Sequence, residues 1–375
     1  MIFKVVFFTA ILSFYSISAH ARTARINILS KYDLNSIVIT ADSGSMKSDE
    51  GSFTLDKSRI IINADKENLS IRHQGRFISS KAIAISTNNS AVIYFGKNLK
   101  RKYPGDLIIQ SRNDKLIIIN SCEFDTYIHS AAVAESKGLI DKSPYYTEFI
   151  KVMEICARSY LLANGDRHIE KEWEFCDLTH CMHYEGLLDN GKSFSSGEIL
   201  IDSNRKPIES FFHSTCGGLL TKPDVFWENH TGNTFREGND FVNGKSLCEK
   251  SPHYSWTAKT DIHKLAEIFK FQNLNSIEAI YKSGRVSKIV FKTAKGNEVI
   301  PIPNFMSVCG RAYGWNFIKS NYFTIKIENG SVLFFGKGLG HGVGLCQYGA
   351  AEMIRSGATY KDVLKFYFPG AELTK

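Results

Sequence analysis

Apolar and polar positions alternate in short bursts along the first third of the chain: Ile26-Asn-Ile-Leu29, Ile37-Val-Ile-Thr40, Ile60-Ile-Ile62, Ala91-Val-Ile-Tyr-Phe95, Leu107-Ile-Ile109 and Leu116-Ile-Ile-Ile119, with turn residues between them. β-Branched residues at this spacing predict strands. From Asp125 the period lengthens to three and four, through Tyr127, Ile128, Ala131, Ala132 and Glu135, and a second helical stretch runs from Thr147 to about Leu162. Two helices meeting around a loop with Gly138 and Pro144 are expected there. A polar segment rich in His, Cys, Asp and Glu follows from 164 to 185, strands return at 198–202 and 206–213, and a loop carries Cys216-Gly217-Gly218 and Trp227. Residues 232–258 have few periodic apolar positions and read as a long surface excursion. Beyond them the pattern predicts a helix at 261–269, strands at 287–292 and 323–327, the apolar run Val332 to Phe335, and a helix from about Gly344 to Ser356 behind a Gly-rich turn.

Composition narrows this to a fold class. With 375 residues, 43% hydrophobic and 22% charged, the chain has the balance of a folded protein, which excludes disorder and coiled coil. Its 26 Phe, 16 Tyr and 28 Gly against 8 Pro favour sheet with many turns, so the expected class is α+β, β-rich with several helices. Met1 to Ala21, with an apolar run from Val5 to Leu12 and Ala19-His20-Ala21 at its end, reads as a secretory signal. The run is too short for a spanning helix, so an exported chain starting at Arg22 and without stable membrane insertion is expected. The formal charge of +8 then suits a polyanionic partner, but not nucleic acid, which lies in another compartment. The remaining division is 22–120, β-rich, and 121–375, carrying the chemistry, the two forming one continuous unit.

Four stretches carry reactive residues. Glu135 ends an apolar helix beside Ala132, Val133 and Ala134; packing there would desolvate the carboxyl, raise its pKa and suit it to general-acid work, whereas an unpacked helix end would leave it solvated. His213, Ser214 and Thr215 stand where a strand meets a Gly pair, a turn that suits sugar hydroxyls or acyl groups. Gly336 to Gly349 has Gly at nearly every second position, opens a helix, and lacks the Gly-Lys-Ser/Thr ending of a phosphate loop; His341 and Gln347 read as polar groups presented into a cleft. Finally His168, Cys176, His180 and Cys181 supply a full tetrahedral set for structural zinc, with a Cys176–Cys181 disulfide as the rival. Spacing alone does not pair Cys122, Cys156, Cys216, Cys248, Cys309 and Cys346.

Together these stretches resemble the SpoIID/LytB family. Tyr127 to Glu135 resembles its Ser-Glu or Ala-Glu segment, and Glu148 to Tyr160 its Glu-Ala-Leu-Lys-Ala-Gln-Ala-Val-Ala-Ala-Arg-Thr-Tyr helix. Phe212 to Gly218 is similar to its Tyr-His-Ser-Thr-Ser-Gly-Gly turn; Gly340 to Ala350 with Phe366-Tyr-Phe-Pro-Gly-Ala-Glu-Leu373 is similar to its Gly-His-Gly-Val-Gly-Met-Ser-Gln-Trp-Gly-Ala block and Tyr-Pro-Gly-Thr ending. The resemblance implies a cell-wall protein of the periplasm or cell-wall space acting on peptidoglycan glycan strands, either as a lytic transglycosylase or as an enhancer of a cell-wall amidase. Carried over by position, the catalytic Glu is Glu135, the helix Arg is Arg158, and the zinc segment falls on His168, Cys176, His180 and Cys181. Arg158, Ser214, His341 and Gln347 would hold sugar hydroxyls and acetamido groups in a glycan-binding cleft with Tyr348 and Trp227 as aromatic faces. Cys216 and Cys346 stand where the family commonly has Ser, and a disulfide between them is an expectation that comes with the resemblance. One carboxylate and no metal suffice for lytic cleavage; a hydrolase would need a second acid, for which Glu123 and Asp125 are near in sequence.

Overall fold

Isoleucine at every second position builds the first core. The computed structural model describes residues 22–375 apart from 141–143, 166, 169, 231 and 273, so the expected signal segment lies outside the described residues. Strand Ser36–Ala41 buries Ile37, Ile39 and Ala41, and Thr23–Ile28 buries Ala24, Ile26 and Ile28. One sheet runs in the order Phe175–Cys176, Thr23–Ile28, Lys115–Glu123, Asp106–Arg112, Ala82–Thr87, Gly44–Ser48, Gly51–Leu55. The other runs Leu99–Pro104, Ser90–Phe95, Ser36–Ala41, Arg59–Asp65, Asn68–His73, Arg76–Ser80, and the buried faces of the two share a single apolar cluster. The strands that the pattern did not reveal have a polar outer face: Asn68–His73 points Asn68, Ser70 and Arg72 to solvent and keeps only Leu69, Ile71 and His73 inside. The molecule is strand-rich α+β, as composition indicated.

The edge of the first sheet is closed from far along the chain. Phe175 and Cys176 pair in parallel with Ile26 and Asn27, and the carboxylate of Asp177 accepts from the backbone of Leu29 (2.7 Å) and Ser30 (3.2 Å) and from the Ser30 hydroxyl. The segment after the long helix is thereby fixed to the N-terminal sheets, covering an edge that would otherwise expose unpaired backbone.

Among the described residues there are six α-helices: α1 (Phe124–Glu135), α2 (Tyr146–Ala163), α3 (Ile262–Ile268), α4 (Ile302–Tyr313), α5 (Gln347–Arg355) and α6 (Tyr360–Tyr367). A second core joins α1, α2, α5 and α6 with Leu200, Phe211 and Val343. A third packs α3 and α4 against two three-stranded sheets built from 255–261 with 323–337 and from 274–301. Helix α4 was hidden by Pro301 and Pro303, which read as loop but occupy the cap and first turn, where a missing N–H costs nothing. The helix expected from Gly344 starts only at Gln347, because Gly344 has φ +69 and Leu345–Cys346 pair as a strand with Phe212–His213. Most of the expected strand 206–213 is irregular: Pro207 makes one isolated antiparallel bridge with Ile201, and only Phe212–His213 pair as a strand. No helix among the described residues is long and apolar enough to cross a membrane.

The two central helices are locked by a buried imidazole. His129 on α1 meets Glu154 on α2 through Nδ1 (2.7 Å) and Asp189 through Nε2 (2.9 Å), and Glu154 also accepts from the backbone of Phe194 (3.0 Å) and Ser195 (2.6 Å). Burial works to lower the His129 pKa, yet the bonds to Glu154 and Asp189 outweigh it and the value is raised. Burial likewise opposes ionisation of Glu154, but His129 and the backbone donors hold its pKa below the usual value. The His129 contribution to stability is full below the ordinary imidazole range and lost as pH rises through its raised value; that of Glu154 is present above the ordinary carboxylate range and lost as pH falls through its lowered one. The network should therefore support the fold most between those ranges, about pH 5 to 6. Replacing His129 by Ala leaves two carboxylates facing each other and is expected to cost about 3–5 kcal/mol. Urea melts of wild type and His129→Ala at pH 5.5 and pH 9 measure this, and the gap between the two proteins should narrow at the higher pH.

Candidate functional site

The C-terminus of α1, the 180–182 loop, the Phe211–Ser214 segment and the Gly-rich turn before α5 enclose a cleft of about 660 Å³. Glu135, Ser214, His341 and Gln347 all line it, although they come from three distant parts of the sequence. Trp227 stacks on Phe211 at 4.6 Å and supplies an aromatic wall.

Glu135 is the last residue of α1 and is half-buried. Burial raises its pKa, opposed by one hydrogen bond, from the backbone N–H of His183 to Oε1 at 3.0 Å. The free carbonyls at the end of a helix act in the same direction as burial, since partial negative charge there disfavours an anion. A carboxyl so placed keeps its proton closer to neutral pH and can give it to a bound oxygen, then take one back. Gln347 donates its amide to the Glu135 carbonyl oxygen (3.3 Å), tying the start of α5 to the end of α1.

The Gly-rich turn works through backbone as much as side chain. His341 donates from Nε2 to the Phe212 carbonyl and accepts the Val343 N–H at Nδ1, both at 3.1 Å, so neither ring nitrogen is free for a ligand. Burial, with Arg285 nearby, pushes its pKa down to about 3, which keeps the ring neutral. His341 therefore offers the cleft a ring packed 4.9 Å from Trp227 and 5.3 Å from His213, rather than the hydrogen-bonding nitrogens expected from sequence. Gly340 has φ +110, and a Cβ there would stand 2.7 Å from that of His213. The Ser214 hydroxyl stands 3.2 Å from that of Thr215, and the Ser214 carbonyl accepts the Tyr348 N–H at 3.1 Å.

Two expected contacts lie elsewhere. The Arg158 guanidinium is spent on Asp125 (2.9 Å), Ser195 (2.9 Å) and the Glu198 carbonyl (3.1 Å), so it braces α2 against α1 instead of facing the cleft. Tyr348, on α5, packs against the second core and is not part of the lining. Asp125 is the partner of Arg158 and Glu123 is solvent-exposed; neither is a second acid of the cleft. A different carboxylate, Glu209, lines the cleft, where it pairs with His230 at 2.9 Å. No motif marks Glu209 in the sequence; only the irregular path of 206–211 brings it to the rim.

His168, Cys176, His180 and Cys181 converge, their ligand atoms all within 4.8 Å of one another. His168 Nε2 is 3.3 Å from Cys181 Sγ and His180 Nε2 is 3.2 Å from Cys176 Sγ, with no bond between the sulfurs. The Cys181 thiol is drawn below its ordinary pKa by a hydrogen bond from the Cys176 thiol, against burial, and further by His168. Two thiols and two imidazoles at these separations could hold a metal ion in a closed four-coordinate site. His180 and Cys181 also line the cleft, and His183, whose N–H holds Glu135, follows two residues later.

No family model matches the chain. It is 24% identical over 291 residues to an uncharacterised protein of Brachyspira hyodysenteriae, covering 72% of each chain. Stage II sporulation protein D of Bacillus subtilis is 28% identical over 185 residues, 48% of this chain and 49% of that one. The amidase enhancer of the same organism is 44% identical over 61 residues, only 16% of this chain and 9% of its own length.

Removing His341 leaves the Phe212 carbonyl and the Val343 N–H without their partner, so His341→Ala should lose about 1–3 kcal/mol of stability in urea unfolding. Unchanged stability would mean that the ring is held by something other than these two bonds. A metal held by His168, Cys176, His180 and Cys181 would, once removed with a chelator, lower the melting temperature and, through the His183 N–H, also shift the pH at which Glu135 titrates, read by carboxyl NMR of labelled protein.

Proposed function

We propose, for this SpoIID/LytB-like chain, that it is an exported lytic transglycosylase that cuts peptidoglycan glycan strands in the cell-wall space with Glu135 as both acid and base. What carries the reading is the geometry at Glu135: a half-buried carboxyl with a raised pKa and one backbone donor, at the wall of a cleft faced with Trp227, Phe211 and His341. Protonated Glu135 gives its proton to the bridging oxygen as the sugar C1 gains oxocarbenium character. The carboxylate then takes the proton of the same sugar's C6 hydroxyl, whose oxygen closes onto C1 as a 1,6-anhydro ring. No water enters the products. Ser214 and the Gln347 amide suit sugar hydroxyl and acetamido groups, and the stacked rings suit the apolar faces of pyranoses.

The set His168, Cys176, His180 and Cys181 is proposed to hold zinc, whose part would be to fix the cleft wall and the His183 N–H rather than to react. A second reading, a glycan-binding enhancer of a cell-wall amidase, draws on the 44% local identity to the amidase enhancer. Glu209 adds a hydrolytic alternative, since a second carboxylate faces the same cleft.

Purified protein incubated with intact and with peptide-stripped glycan, followed by product mass, tests all three. The expected products end in 1,6-anhydro-muramyl sugars, and Glu135→Gln, an isosteric change that removes the transferable proton, should slow their release by about 10²–10⁴-fold with an unchanged melting curve. Reducing-end products that vanish in Glu209→Gln would establish hydrolysis instead. No product from wild type, with stimulation of an added amidase undiminished in Glu135→Gln, would establish the enhancer.

A further inference from the structure

Cys216, Cys248 and Cys346 meet Asp240 in the buried interior, their ligand atoms all within 4.8 Å of one another. We infer that these four side chains form a second, structural metal site for zinc or a similar soft divalent ion, separate from the His168 cluster. Four donors at about 2.3 Å from one tetrahedral centre stand about 3.8 Å apart, and Cys216 and Cys248 are already 3.5 Å apart at their sulfurs. Asp240 presents Oδ2 to the Cys216 sulfur (2.9 Å), while its Oδ1 is oriented by the Ser246 hydroxyl (2.7 Å), the kind of outer contact that aims a ligating carboxylate.

Three further observations favour a metal over a disulfide. The cluster has three thiols, so a bond between any two strands the third beside a buried carboxylate that has no cationic partner among the described residues. Backbone amides of this turn are aimed at sulfur: Cys216 N–H at Cys346 (3.2 Å) and Gly218 N–H at Cys216 (3.4 Å). Donors arranged this way stabilise thiolates, and Gly217 and Gly218, at φ +73 and φ +96, have the backbone that makes the arrangement possible. Beside the cluster lies Arg285, fully buried, which donates to Asn321 Oδ1 (2.8 Å) and to the carbonyls of Leu219 and Cys216 but to no carboxylate among the described residues. Three thiolates and one carboxylate around a divalent cation carry a net charge of −2, and the Arg285 guanidinium offsets part of it. Binding such an ion releases the thiol protons to solvent and oxidises nothing.

The site would join three segments that packing alone brings together: the turn after Phe212–His213, the 240–248 loop, and the residue that caps α5. Ser214 and Gln347, which line the cleft, lie within two residues of these ligands. The assignment is independent of what Glu135 does.

The test is metal content of the full chain, purified without reductant or chelator, with elemental analysis and cobalt(II) substitution. Two zinc per chain are expected. Cys181→Ser should remove one and Cys248→Ser or Asp240→Asn the other, and in Cys181→Ser the remaining site loaded with cobalt(II) should show the intense thiolate-to-metal absorption and visible bands of a tetrahedral thiolate site. Because Cys248→Ser could misfold, the cobalt spectrum of Cys181→Ser is decisive alone: metal-free Cys181→Ser that takes up no cobalt overturns the site. Mass spectrometry finding any two of Cys216, Cys248 and Cys346 joined by a disulfide in the native protein overturns it as well.

Discussion

A carboxyl useful as an acid near neutral pH has to lose solvent without gaining a cation, and Glu135 is built around that constraint. It closes α1, so the helix end disfavours its anion; one backbone N–H and no basic side chain opposes burial. Everything that holds this balance comes from elsewhere. The His183 N–H is delivered by a loop whose base is stitched as an extra strand to the N-terminal sheet and pinned by Asp177, while Gln347 fastens the backbone of Glu135 from the opposite side. The large N-terminal sheets thus reach the loop that holds the candidate acid through Phe175, Cys176 and Asp177.

Much of this was legible in the chain, and the failures have physical causes. Period-two isoleucines and the change of period at Asp125 located the first core and the two central helices, because each buries a regular stripe. Strands with a polar outer face and a helix opened by prolines were missed, since neither shows the expected density of apolar residues. Of the residues expected around one cleft, Glu135, Ser214, His341 and Gln347 line the same cavity, whereas Arg158 and Tyr348 do not. Arg158 was not on it because a buried guanidinium takes the nearest carboxylate, Asp125, and sequence does not show which of two helical neighbours will be that partner. Glu209 escaped because irregular backbone has no period from which a facing direction can be read.

His341 illustrates how glycines can mislead. Flanked by Gly340 and Gly342, it has little side-chain packing from its neighbours in sequence, which suggested an exposed ligand contact. Those same glycines let the turn fold back so tightly that the backbone of Phe212 and Val343 reaches both ring nitrogens. The ring is thereby a brace of the cleft, neutral and oriented, and it presents only its face and edge to the cavity.

Thiol placement extends the same logic from one residue to the assembly of the site. Cys122, Cys156 and Cys309 are buried outside any cluster of ligand atoms among the described residues, and burial pushes their pKa up and leaves them inert. The other five gather at two places, each at the root of a cleft-lining loop. The sequence left disulfides open at Cys176–Cys181 and Cys216–Cys346, but a disulfide only ties two points, whereas a loop that must present an N–H, a hydroxyl or an amide in a set direction needs more than two restraints. The 232–258 stretch, read from sequence as a surface excursion, supplies Asp240 and Cys248 to one of these convergences. A segment without periodic apolar residues can therefore still be anchored in the interior, by single buried side chains such as Phe235, Asp240, Cys248 and Trp256 rather than by a regular apolar stripe, and that is why pattern alone could not see it.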